Sequence, residues 1–138
     1  MADSLFDRVG GLLFFVTLVD RFYDAVAEDP RLRPIYPDDL SGPRRHLALF
    51  LAQYWGGPTT YNQERGHPRL RMRHAPFAVG PAERDAWLEH MLASLSSTSA
   101  SDADKAELRD YFETAATALI NRFPERGTPG ASTLSIIP

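Results

Sequence analysis

Apolar side chains recur at Phe15, Leu18, Val19, Phe22 and Val26, at spacings of i, i+3, i+4, i+7 and i+11. That is one face of an amphipathic helix running from Leu12 to about Glu28. Its ends are punctuated by Gly10-Gly11 on one side and by Pro30, Pro34 and Pro37 on the other. Proline has no amide donor and clashes with the preceding turn, so Asp29–Asp39 is predicted to be a compact corner with one short turn. Ile35 and Tyr36 are the residues expected to turn inward there. Tyr23 follows Phe22 at the edge of the apolar face, so its ring can lie inside with a hydroxyl that needs a partner. A backbone carbonyl in an ordinary core would serve it as well as a ligand would.

The same grammar repeats along the chain. Ser4 with Asp7 three residues on reads as a capped short helix stopped by the glycine pair. Ser41-Gly42-Pro43 restarts a helix with proline in its first turn, Leu47, Phe50, Leu51 and Tyr54 form its inner stripe, and Gly56-Gly57-Pro58 ends it. Residues 58–68 read as loop. Pro68 can open a short helix to about His74, in which Leu70 and His74 share a face, as do Arg69 and Arg73. Gly80-Pro81 begins another helix, with Glu83 in its first turn and Trp87 or Leu88, then Met91 and Leu95, facing inward. Ser94–Ser101 reads as a polar break. Ser101 with Asp104 caps the last helix, whose stripe Leu108, Tyr111, Phe112, Ala115, Leu119 and Phe123 runs to Pro124. No alternation of β type is long enough for a sheet, so the fold class is all-α.

Composition narrows the chemistry. A chain of 138 residues is large enough for one domain with a real core and room for a cofactor. The net charge of −3 argues against a protein devoted to nucleic acid or to an anionic membrane. The absence of cysteine removes disulfides, thiolate metal sites and cysteine nucleophiles together. The single apolar run, Leu12–Val19, lacks a basic segment before it and is too short to cross a bilayer, so a cytoplasmic protein is expected. Nucleophile elbows and glycine-rich phosphate loops are missing, and the glycine pairs read as helix stops.

Four histidines remain as metal-ligand candidates: His46, His67, His74 and His90. Zinc needs three or four ligands, and His67 and His74 have no third partner at fitting spacing. A haem needs only one protein ligand on one side, which a lone histidine in an apolar helical shell can provide. His74, at the end of GHPRLRMRHAPF, is the candidate; His46 lies off the buried face of its helix and is expected at a pocket edge. Arg65, Arg69, Arg71 and Arg73 admit three readings: a solvated face, a nucleic-acid patch, or partners for a ligand's carboxylates. Spacing alone favours the solvated face. To this point the residues support an all-α domain with an aromatic pocket and a candidate histidine ligand.

Longer motifs go further. Val9-Gly10-Gly11, Arg21-Phe22-Tyr23, Ile35-Tyr36-Pro37, Gln53-Tyr54-Trp55-Gly56-Gly57-Pro58, Arg65 to Phe77, and Glu83-Arg84-Asp85-Ala86-Trp87-Leu88 together resemble the group II truncated haemoglobins, over roughly residues 4–123. The resemblance implies a two-over-two helical sandwich around a b-type haem, with a globin domain over residues 1–124; the stretch 125–138, with its Gly, Pro, Ser and Thr, reads as a flexible tail longer than the family's. It implies His74 as the iron ligand and Tyr23, Tyr36 and Trp87 as a distal polar cluster. Leu47 and Phe50 would be apolar distal positions, Leu70 and Phe77 would line the cofactor, and Tyr61 and Arg73 would anchor its propionates. Pro43 falls where many globins keep a gating His or Gln, and it can donate nothing, so distal donation is left to the two tyrosines and the tryptophan. The implied ligands are O₂, NO, CO or peroxide, with an unnamed reductase as partner and a homodimer left open. Two functions follow: redox chemistry such as NO dioxygenation or peroxide reduction, or a carrier or sensor without turnover.

Overall fold

The computed structural model describes residues 4–66 and 80–120, and among them every regular element is helical. In chain order these are α1 (Leu5–Val9), α2 (Leu12–Ala27), a 3-10 turn (Arg33–Ile35), α3 (Ser41–Tyr54), α4 (Thr60–Arg65), α5 (Pro81–Ser96) and α6 (Asp102–Ala118). α2 is the centre. It packs against α3 on one side and α5 on another, while α5 also packs on α6 and α3 on α4. Its predicted stripe is the core: Phe15, Leu18, Val19, Phe22 and Val26 are fully buried, and Tyr23 beside them is 4% exposed.

Local chemistry sets the helix ends. Ser4 Oγ accepts the Asp7 amide at the start of α1, and Gly10, at φ 107°, closes that helix in the left-handed region. The Gly56-Gly57 pair has a tertiary role. A Cβ on Gly57 would stand 2.6 Å from the Phe6 ring and 2.8 Å from the Ala52 carbonyl, and Gly56 has φ 109°. Their bareness lets α1 close over the end of α3, where the Phe6 amide donates to the Trp55 carbonyl at 3.1 Å. At the other end of α1, Arg8 Nε donates to the buried Asp104 carboxylate at 3.1 Å, tying α1 to α6. Ser101 caps α6 as its spacing predicts, accepting the Asp104 amide.

Four sequence expectations change. Residues 58–68 are not all loop, because 60–65 form α4. A reciprocal pair holds it to α3: Gln53 Nε2 donates to Asn62 Oδ1 at 3.1 Å, and the Asn62 amide donates to Gln53 Oε1 at 3.0 Å. Tyr54 is not on the inner side of α3; it is 40% exposed, while Ala48, Leu49 and Ala52 join Phe50 and Leu51 in the core. The polar break begins after Ser96 rather than at Ser94. Ser94 is buried in the last turn of α5, where its hydroxyl donates to the Leu18 carbonyl at 2.7 Å. α6 ends at Ala118, not at Phe123.

Candidate functional site

The corner between α2 and α3 is pinned from two sides. Asp29, buried at the end of α2, accepts from the Arg31 amide at 2.8 Å and from the Arg31 guanidinium at 2.7–3.1 Å. It also meets His90 Nε2 of α5 at 2.6 Å. These bonds, Arg31 first and then His90, hold the Asp29 carboxyl far below the usual carboxylate range. Leu32, fully buried, is the anchor of the corner that sequence reading passed over in favour of Ile35 and Tyr36, which are half-buried. Arg33 then folds back along the chain. Its guanidinium donates to the carbonyls of Tyr36, Pro37 and Asp38 at 3.3, 3.0 and 2.9 Å, which fixes the backbone on which Tyr36 stands.

Tyr36 so placed meets Tyr23 of α2 edge to face, with ring centroids 5.4 Å apart at 90°. Trp87 of α5 packs on Phe22 at 5.1 Å and on Phe112 at 5.9 Å, which sets its indole beside the two phenols. Burial pushes the Tyr23 phenol well above its ordinary range, and the nearby Tyr36 adds to this while Arg44 opposes it. Burial pushes Tyr36 up to about 12, against hydrogen bonds with Tyr23 and Trp87 that pull it down. The Tyr23 and Tyr36 hydroxyls and the Trp87 indole N–H thus form one cluster of neutral donors on the wall of a single cavity. Outside this cluster Arg44 lies 5.9 Å over the Tyr23 ring, held by Asp20 and Asp24 of α2 at 3.2 and 2.8 Å.

The three side chains line one cavity of about 230 Å³. Its walls are mostly carbon: Leu32, Ile35, Leu47, Phe50 and Leu51 on one side, Phe112, Ala115, Ala116 and Leu119 on the other. Pro43, Tyr61 and Tyr111 also face it. On the α3–α4 side His46 and Arg65 line it together, Arg65 Nη1 standing 3.3 Å from His46 Nε2. Glu83 is the only carboxylate among the described lining residues, and its Oε1 accepts the Gly80 amide at 2.8 Å. Of the residues singled out in the sequence, the cavity brings together Tyr23, Tyr36, Trp87, Leu47, Phe50 and Tyr61. Leu70, Arg73, His74 and Phe77 lie outside the described residues, as does His67. Arg33, Arg44 and Tyr111 are placed at or behind the site without any motif announcing the two arginines; their roles come from loop and helix packing alone.

A flat apolar group with an anionic rim suits such a cavity: carbon walls, one cluster of neutral donors, and an arginine–histidine pair at another edge. The bacterial-like globin family matches residues 4–121 of this chain. The chain belongs to the bacterial-like globins. Within them this globin is of the group II truncated kind, built on the two-over-two helical fold, and its cofactor is haem b. The truncated globin is 51% identical over 74 residues to the group 2 truncated haemoglobin YjbI of Bacillus subtilis, an alignment spanning 54% of this chain and 56% of that relative. A crystal structure of haemoglobin from the thermophilic phototroph Chloroflexus aurantiacus superimposes with a TM-score of 0.86 at 50% identity, covering 88% of this chain and all of that one. The truncated oxygen-avid haemoglobin from Bacillus subtilis superimposes with a TM-score of 0.82 at 36% identity, covering 86% of this chain and all of that one. As a haem globin it binds O₂ and similar small gases. No helix among the described residues is long and apolar enough to cross a membrane.

Proposed function

We propose that this globin holds O₂ tightly for redox turnover, NO dioxygenation or peroxide reduction, and that Tyr36 is the principal donor to the ligand. The haem iron, held by His74, supplies ligand binding and electron exchange. Leu47, Phe50, Leu70 and Phe77 pack the cofactor, and Tyr61 and Arg73 hold its propionates, for which an arginine fork is well matched. The observation that carries the reading is the meeting of three neutral donors, Tyr23, Tyr36 and Trp87, on one carbon-walled cavity. In the proposed arrangement Tyr23 O–H and Trp87 N–H donate to Tyr36 Oη, and accepting two bonds makes the remaining Tyr36 O–H a stronger donor. A diatomic ligand that takes on negative charge is the acceptor this donor lacks. Both phenols stay protonated far above neutral pH, so the donor set is unchanged across the physiological range. A relative described as oxygen-avid supports the same direction.

A ligand held so firmly is poorly suited to delivery and well suited to reaction in place. The test is rapid mixing of the oxygenated protein with NO, followed by re-reduction with an added flavoprotein reductase. Conversion of NO to nitrate with multiple turnovers is expected. Stoichiometric reaction with no turnover under any electron donor, peroxide included as the alternative oxidant, would leave a carrier or sensor.

A further inference from the structure

Tyr36 and Trp87 reach the cavity from different elements, and a shielded bond outside the cavity joins those elements. Tyr36 stands on the corner between α2 and α3 and Trp87 on α5, yet the two side chains are hydrogen-bonded to each other. Their spacing therefore depends on how the corner sits against α5. Away from the cavity the corner is tied to α5 through His90 and through Arg31. His90 Nε2 meets Asp29 Oδ2 at 2.6 Å, with side chains only 17% and 7% exposed. Arg31 Nη2 meets Glu89 Oε2 at 3.2 Å, but those side chains are 49% and 60% exposed, and such a surface pair holds little.

The Asp29 carboxylate is ionised and can only accept, so His90 Nε2 carries the hydrogen of this bond. Arg31 donates to the same carboxylate from its amide and its guanidinium. Those bonds reach back only two residues, so they shape the corner without attaching it to α5. Leu32, fully buried, holds the corner down, but apolar contact is non-directional and does not fix the length of a hydrogen bond elsewhere. His90 lies three residues after Trp87, so one turn of α5 carries both the indole that lines the cavity and the imidazole that grips the corner.

We propose that His90 is a positioning residue for the distal cluster: its bond to Asp29 sets the spacing of Tyr36 from Trp87, and with it how firmly the ligand is held. This rests on the distal-donor reading of the cavity given above. Loss of the imidazole leaves Asp29 paired with Arg31, so the corner keeps its shape and loses its docking on α5.

The test compares His90→Leu, His90→Gln and Ser94→Ala in the haem-loaded full chain. The C–O stretch of the CO complex is read by infrared spectroscopy and the O₂ off-rate by stopped flow. The stretch reports the donors that face the ligand and does not respond to stability alone. His90→Leu should move it to higher frequency and raise the off-rate about fivefold, the size of one ordinary hydrogen bond. His90→Gln, whose amide N–H can reach Asp29, should bring both back toward the wild type. Ser94→Ala removes a buried bond from the same helix to the Leu18 carbonyl, so it should lower the Tm and leave the stretch in place. If His90→Leu does not fold, His90→Asn, polar but too short to reach Asp29, takes its place with the same expected result. A stretch and off-rate unchanged in His90→Leu, or moved as far by Ser94→Ala, overturns the proposal. If Tyr36→Phe and Trp87→Phe also leave the stretch untouched, it is the donor reading that fails. The crystal structure of His90→Leu then decides: Tyr36 displaced from Trp87 upholds the positioning role, and Tyr36 unmoved overturns it.

Discussion

Replacing Tyr36 by phenylalanine removes one oxygen and asks the most of the proposed site. The ring contact with Tyr23 can be kept, so the perturbation is chemical rather than steric. Two effects follow. The ligand loses the donor aimed at it, and a hydrogen bond to a charged partner is worth about 1.5–3 kcal/mol. At about 1.4 kcal/mol per decade, the O₂ off-rate should rise about 10- to 150-fold. In the proposed arrangement Tyr23 O–H and Trp87 N–H also lose their shared acceptor, and unsatisfied buried donors cost about 1–3 kcal/mol each, so the Tm should fall. The off-rate is read by stopped-flow displacement of O₂ with CO, and the Tm by calorimetry of the haem-loaded protein. Tyr23→Phe and Trp87→Phe are the comparison, since each withdraws only one bond from Tyr36. Both should raise the off-rate by less than Tyr36→Phe does. An off-rate unchanged in Tyr36→Phe, or raised more by Tyr23→Phe, would refute the assigned polarity of the cluster.

Three more perturbations test how the fold holds the site. Arg33→Met frees the carbonyls of Tyr36, Pro37 and Asp38, so the O₂ off-rate should rise several-fold with a smaller change in Tm than Tyr36→Phe gives; an unchanged rate would show that the corner holds itself. Gly57→Ala drives a methyl against the Phe6 ring and the Ala52 carbonyl, an overpacking cost of about 1–3 kcal/mol that calorimetry would record as a Tm lower by several degrees. Asp29→Asn acts through pH. The folded pKa of Asp29 is depressed, so its contribution is present above the ordinary value of 3.8 and is lost as pH falls through the folded value. Acid unfolding curves should therefore show a shallower loss below that ordinary value in the variant, with the wild type less favoured only at strongly acid pH.

The sequence carries the helices better than it carries the site. Period and punctuation are local properties, so α2 could be read to within a residue from Phe15 to Val26 and its flanking Gly and Pro. α4 could not, because it has a single buried side chain, Tyr61, and is held by Gln53 and Arg45 of α3. Tyr54 misled for a related reason. It lies at i+4 from Phe50 and i+7 from Leu47, so the period includes it, but α3 ends there and its ring turns outward onto Tyr111. Leu32 was hidden among prolines that mark a corner without saying which side faces in. The cavity-lining set was more legible, since Tyr23, Tyr36, Trp87, Leu47, Phe50 and Tyr61 all come from one family pattern. What no pattern states is convergence: that the three donors share one cavity depends on the Arg33-bound corner meeting α2 and α5 there.

The proposed arrangement of the cluster also bears on how three polar groups can sit in an apolar cavity at all. Each buried donor without a partner would cost stability, and three independent ones would be a heavy load on a domain of this size. In that arrangement, converging two of them on the Tyr36 oxygen settles both internally and leaves only one O–H to be met. Asp29 and Arg33 then secure the corner with bonds drawn from outside the cavity, so the site's geometry does not rest on the ligand. Arg44 does the same for Tyr23 from the far face of its ring. On the proposed reading the pocket is preorganised for one acceptor at one place, and the free energy of satisfying that last donor goes into holding the ligand rather than into arranging the site.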